Sequence, residues 1–193
     1  MKIVDGTSLS DDRRRLVRPG ETWADRSGAM RQLPRFFYVV ETWAAAKETQ
    51  LTEHFTLAEL TAVDFREAPP LLREFPHFVP CAVAVLARYL EEFRRRAEAP
   101  VFVSVNGGYR SPGHRLHTTA TPHAWACAAD IYRVGDTWMD SAKSIERYAK
   151  LAEGIGAEVH VRPFGKGPGV ADDHLHLDLG FLTLEPHAVP CAM

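Results

Sequence analysis

Apolar residues recur with a helical period in two long stretches of the chain. Beyond Pro80, the residues Ala82, Leu86, Tyr89, Leu90 and Phe93 fall on one side, while Arg88, Glu91, Glu92 and Arg95 take the other. Pro80 suits the first turn of that helix, and Pro100 stops it beyond Ala99. The second stretch runs from about Met139 to Glu153, where Ala142, Ile145, Tyr148, Ala149 and Ala152 share a face and Gly154 stands at the C-terminal cap position. Both stripes read as core packing. A shorter helix is expected to begin at Thr56, which forms a capping-box pattern with Glu59, before Pro69-Pro70 interrupts it.

Alternation marks the strands. Arg35–Val40 and Val101–Val105 are rich in β-branched and aromatic residues, and Asn106-Gly107-Gly108 ends the second of them. Further strands are predicted through Ile131-Tyr132, over Glu158–Arg162 and over His174–Phe181. In the last, Leu175, Leu177 and Leu179 take one face while His174, His176 and Asp178 take the other. Tyr109–Gly113 and residues 164–172 read as loops. Residues 1 to about 33 are weakly patterned and are read as an irregular arm. Its run Asp11-Asp12-Arg13-Arg14-Arg15 suits a solvated, self-compensating face.

This order predicts an α+β fold, with helices packed on one face of a small, mostly antiparallel sheet. The expected division is an arm over residues 1–50, a main domain over 51–185 and a tail over 186–193.

Composition narrows the function more than the fold. Lys and Arg total 23 against 25 Asp and Glu, a net charge of −2, which gives no reason to expect a nucleic-acid partner. The three cysteines, Cys81, Cys127 and Cys191, are far apart and make no disulfide framework. With no secretory signal and no apolar run long enough to span a membrane, the chain is expected to be made as a soluble cytoplasmic protein. A target in a cell wall would then be reached by another route, such as phage lysis. Oligomeric state is not legible.

The chemistry concentrates in Thr121–Asp130 and in Asp172-Asp173-His174-Leu175-His176. On a helix, His123 and Asp130 would sit about 10 Å apart. Two ligands of one ion have donor atoms roughly 3–3.5 Å apart. A loop turning into a strand brings such residues together, and the small Ala126, Ala128 and Ala129 let the chain fold back closely. His123, Asp130 and His176 then supply three ligands and leave a fourth position open, the pattern of a catalytic zinc site. Asp173, at the strand entrance, is available as general base on a bound water.

Tyr109-Arg110-Ser111-Pro112, then His123 through Asp130, then Asp173-His174-Leu175-His176, in that order, resembles the zinc D-Ala-D-Ala carboxypeptidase family. That family includes vancomycin-resistance D,D-dipeptidases and phage endolysins that cut L-Ala-D-Glu bonds, and it shares its fold with the Hedgehog signalling domain. The resemblance implies Zn2+ held by His123, Asp130 and His176, a catalytic Asp173, and Arg110 facing a carbonyl or carboxylate of a cell-wall peptide. Three residues depart from the pattern: Ala126 replaces a glycine, Thr121 replaces a serine, and Ala171 stands where some members carry a histidine that assists the transition state.

Rival readings stay open at this level. His174 is either a group that orients a ligand or the substrate, or an exposed strand residue. His123 and Cys127, four apart, are a helical metal pair if the segment is a helix, and His114 with His117 is a weaker one. Arg110 is either a substrate contact or half of a surface ion pair. His54, His77, His114, His117 and His187 carry the plainer reading of surface or hydrogen-bonded residues; His160 is undecided between the surface and the cleft, and Trp125 is read as a packing residue. The function expected is a zinc metallopeptidase acting on a cell-wall peptide, with a catalytically silent zinc-binding module, such as a phage-particle component, as the alternative.

Overall fold

The computed structural model describes residues 1–64 and 66–186, so Cys191, His187 and nearly all of the predicted tail lie outside the described residues. The leading segment is more ordered than its pattern suggests. It carries β1 (Ile3–Asp5), α1 (Asp11–Val17), β2 (Thr22–Ala24), β3 (Met30–Gln32), β4 (Phe36–Val40) and α2 (Trp43–Glu48). β1 pairs with β4, and β4 with β5 (His77–Pro80), all antiparallel, giving a three-stranded sheet. β2 and β3 form a separate hairpin. On α1 the acidic and basic residues pair along the exposed surface, Arg14 with Asp11 and Arg15 with Asp12.

The other elements are α3 (Val83–Ala97), β6 (Val101–Val103), β7 (Ala128–Val134), β8 (Thr137–Trp138), α4 (Ala142–Glu153), β9 (His160–Val161) and β10 (Leu175–Asp178). The strands make a five-stranded antiparallel sheet in the order β6-β7-β10-β9, with β8 beside β7. The fold is therefore α+β with small antiparallel sheets. Ala129, Ile131, Val161, Leu175 and Leu177 point into the main core, where they meet Leu86, Leu90 and Phe93 of α3 and Ile145, Tyr148 and Ala152 of α4. Burying a leucine-sized side chain there stabilises the fold by about 1.5–3 kcal/mol.

Local chemistry explains where the elements depart from expectation. Pro80 ends β5 instead of opening α3; β5 is an edge strand of its sheet, where a missing N–H is tolerated. α4 starts at Ala142 because Ser141 caps it, its hydroxyl accepting from Ser144 N. Gly154 follows α4 in right-handed geometry, with no left-handed turn. The capping box at Thr56 forms, with Thr56 N and Oγ1 both donating to Glu59 Oε2 at 2.8 Å, yet only turns follow. The carbonyls of Leu60 and Ala62, which a continuing helix would use, accept instead from Tyr109 N and Asn106 N. β10 stops at Asp178, and Gly180 turns the chain at φ 70°.

A second apolar cluster surrounds Trp125, which is fully buried with Leu33, Ala120 and Cys127 and meets the ring of the partly buried Phe181 edge-on. The indole Nε1 donates to Gln32 O at 3.0 Å, tying the β2–β3 hairpin to the segment that carries His123. Trp125 is thus the packing residue it was expected to be.

Candidate metal centre

The site grows out of one strand register. On β7 and β10, Asp130 and His176 are direct cross-strand partners, and the flanking Ala129 and Leu177 face the core. Asp130 and His176 therefore lie side by side on the opposite face. Their contact is close, with His176 Nδ1 at 2.7 Å from Asp130 Oδ1.

His123 arrives from a short 3-10 turn, Pro122–Trp125. Ala126 then adopts φ 56°, a left-handed residue that reverses the chain directly into β7. The glycine usual in the resembled family would relieve a real constraint here, because this backbone does require positive φ. The loop 106–110 clasps the turn from the other side. His123 Nδ1 meets Gly108 O at 2.9 Å, and Arg110 N donates to His123 O at 3.2 Å. That carbonyl can only accept, so Nδ1 carries the proton and Nε2 presents a free lone pair. Glycine is required in the clasp: a Cβ on Gly108 would lie 2.2 Å from Leu60 O, and one on Gly107 would lie 2.8 Å from Asp130 O.

The result is a buried trio. One ligand atom from each of His123, Asp130 and His176 lies within 4.8 Å of the others, and His123 Nε2 is 3.4 Å from Asp130 Oδ1. Burial pushes the His123 imidazole down to about 4, so it is neutral near pH 7. Burial would raise the Asp130 carboxyl, but the imidazoles of His123, His174 and His176 outweigh it and hold the carboxyl well below its usual range. A neutral imidazole and an ionised carboxylate are the forms a divalent ion takes. Asp130 Oδ1 also has three imidazole nitrogens within 3.4 Å. The residues fit a divalent metal ion.

Asp178 completes the centre in a way the sequence reading did not assign. His176 Nε2 lies 3.0 Å from Asp178 Oδ2, while Asp178 Oδ1 accepts from Gly180 N at 2.8 Å. Placing the His176 proton on Nε2 leaves Nδ1 bare toward Asp130, the carboxylate–histidine arrangement that orients metal-bound imidazoles. Its signal was visible in the alternation His174-Leu175-His176-Leu177-Asp178, which puts all three polar groups on one face.

Arg110 is no surface residue. Its guanidinium donates to Asn106 O at 2.6 Å and stands 3.5 Å from Asp130 Oδ2, with both side chains largely buried. It thereby occupies the second oxygen of Asp130 and leaves Oδ1 toward the histidines. His174 is three-quarters buried, and its Nε2 is 3.3 Å from Asp130 Oδ1 without a hydrogen-bond partner. Its Nδ1 meets Asp173 Oδ1 at 2.6 Å. Burial disfavours the His174 cation, but Asp130 and Asp173 on either side outweigh that and raise its pKa. The Asp173 carboxylate itself is 81% exposed and reaches the trio only through His174.

The rival metal pairs are not assembled. Cys127 is buried against Trp125, its Sγ 3.4 Å from the carbonyls of Trp125 and Leu182, and burial raises its thiol to about 12. Cys81 and Cys127 are both free thiols. His114 and His117 stand with ring centroids 6.5 Å apart and join no metal group among the described residues. His117 Nε2 instead lies 3.3 Å from the hydroxyl of Thr121. His54 pairs with Glu91, His77 stacks on Phe75, and His160 is exposed. Ala171 is buried in a small bridge with Phe164 and offers only a methyl group. No helix among the described residues is long and apolar enough to cross a membrane. No family model, curated protein or solved structure matches the chain.

Proposed function

We propose that this chain is a zinc-dependent peptidase that hydrolyses a cell-wall-type peptide bond, D-Ala-D-Ala or L-Ala-D-Glu, on the fold of the D-Ala-D-Ala carboxypeptidases and the Hedgehog domain. One observation carries the reading: two imidazoles and one carboxylate converge in a buried site, and no fourth His, Cys, Asp or Glu among the described residues brings a ligand atom within 4.8 Å of all three. Closed structural zinc sites use four protein ligands, whereas catalytic ones keep a position for water. Bound zinc would supply an activated water and polarise the scissile carbonyl.

The chain's own groups divide the remaining work. His174 Nε2, unpartnered and at the edge of the trio, receives the proton of the attacking water. Asp173, hydrogen-bonded to His174 Nδ1, holds the imidazole in place and stabilises its positive charge. The pair then returns the proton to the leaving amine. Arg110 keeps Asp130 oriented through Oδ2 and adds positive potential where the oxyanion develops. Metal analysis of the purified protein, followed by hydrolysis of peptidoglycan and D-Ala-D-Ala with and without chelator, tests the proposal; chelator-sensitive amine release is the expected result.

A second reading, a zinc-bound module without turnover, is favoured by the exposed Asp173 carboxylate and by the methyl group of Ala171. Stoichiometric zinc with no amine released from either substrate would select it.

A further inference from the structure

Beside the metal centre lies an open cleft of about 270 Å³, lined by Arg26, Thr121, Pro122, His160, Arg162 and Asp178 among others. Strand register explains why Arg162 faces it. Leu177 pairs with Val161 and Asp178 with His160, and Arg162 N donates to His176 O at 3.2 Å, extending that ladder by one position. Arg162 therefore falls alongside His176 on the face of Asp130, while Val161 points into the core. Arg26 lines the same cleft from the β2–β3 turn. That turn is fastened by the Trp125–Gln32 hydrogen bond and by Ala120 N donating to Ala24 O at 2.9 Å.

The charges in this cleft do not balance. Both of its carboxylates are already engaged. Asp25 accepts from Ser27 N, Ala29 N and Arg31 Nε, and Asp178 accepts from His176 and Gly180 N. Among the described residues, neither Arg26 nor Arg162 takes part in the ion pairs of the cleft or the metal centre. Two guanidinium groups lining one cleft, with the local carboxylates committed, match a planar anion.

We propose that Arg162 and Arg26 form a carboxylate-binding subsite beside the metal centre, so that the substrate is a peptide carrying an acidic side chain next to the bond to be cleaved. This rests on the peptidase reading for its substrate class and favours an L-Ala-D-Glu-type bond over D-Ala-D-Ala. It also gives the leading segment a task, as one wall of the substrate cleft.

The test is equilibrium binding of two isosteric dipeptide amides, L-Ala-D-Glu-NH2 and L-Ala-D-Gln-NH2, which differ only in the side-chain carboxylate, to the zinc-loaded full chain, by ligand-observed NMR titration. The parent is expected to bind the glutamate form about tenfold more tightly, the size of one charge-assisted hydrogen bond exchanged for a neutral one. Arg162→Gln and Arg26→Gln each reduce that ratio, and the double variant abolishes it with zinc content and unfolding midpoint at parental values. A parent without preference, or a double variant that keeps it, overturns the subsite. Because the ratio is read from binding, a parent that shows it but cleaves neither peptide counts against the peptidase reading alone.

Discussion

Exchanging Asp178 for asparagine isolates the group that holds His176 from behind. The substitution keeps the volume of a buried side chain and removes its charge. Asp178 now accepts two hydrogen bonds, from His176 Nε2 at 3.0 Å and from Gly180 N at 2.8 Å. An amide has one oxygen, so Asn at this position satisfies one donor and turns its NH2 toward the other. If the oxygen stays with Gly180, the His176 proton has no acceptor at Nε2 and moves to Nδ1, the nitrogen that faces Asp130 and the metal position. If the oxygen goes to His176, a charge-assisted bond of about 1.5–3 kcal/mol becomes a neutral one of about 0.5–1.5 kcal/mol. The difference, about 1–1.5 kcal/mol, weakens zinc binding by about 5- to 15-fold. The tautomer penalty pushes the loss toward the upper part of the 10- to 100-fold range typical of such partners. Competition with a chromophoric chelator reads the zinc affinity directly, and urea unfolding of the metal-free protein separates a local effect from a general loss of folding. Parental zinc affinity in a folded Asp178→Asn protein would refute the assignment of His176 Nδ1 as the ligand atom.

Asp173→Ala and His174→Ala are each expected to retain stoichiometric zinc while turnover on the cleaved peptide drops by about 10²–10⁴-fold, the usual share of acid–base catalysis; parental rates in either would remove that residue from the mechanism. Gly108→Ala places a methyl group 2.2 Å from Leu60 O, so it should destabilise the fold by about 3 kcal/mol or more and displace the carbonyl that holds His123; denaturant titration checks the first effect and zinc affinity the second. Burial, with Arg13 nearby, lowers His77 to about 4, so the folded protein refuses a proton that the unfolded chain accepts below about pH 6.5. The stability that His77 contributes is therefore full above that pH and falls as pH drops toward about 4, and His77→Gln should flatten the slope of unfolding free energy in that window.

The legible parts of this fold are those long enough for a period to repeat. α3 and α4 span three to four turns each, so their stripes stood out, and β10 announced its two faces through alternating leucines and polar residues. β1, β2 and β3 have three residues apiece, too few for alternation to register, and their existence depends on partners elsewhere in the chain. The capping box at Thr56 was a sound local signal overruled by tertiary bonds from Asn106 and Tyr109 to the carbonyls it needed. At the site, His123, Asp130 and His176 were identifiable from residue type and order. Arg162 was not, because its side of the sheet is set by its pairing with His176 across a strand gap. The left-handed turn at Ala126 was hidden for a different reason: alanine gives no hint of it.

The pairing of Asp130 with His176 across β7 and β10 has a bearing on how the protein would handle a metal ion. Ladder bonds and a leucine core, independent of any metal, already hold two of the three donors at working separation. Uptake then needs little rearrangement beyond the His123 turn. The domain is therefore expected to stay intact when such a pocket is emptied, unlike small zinc modules whose architecture collapses with the loss of the ion.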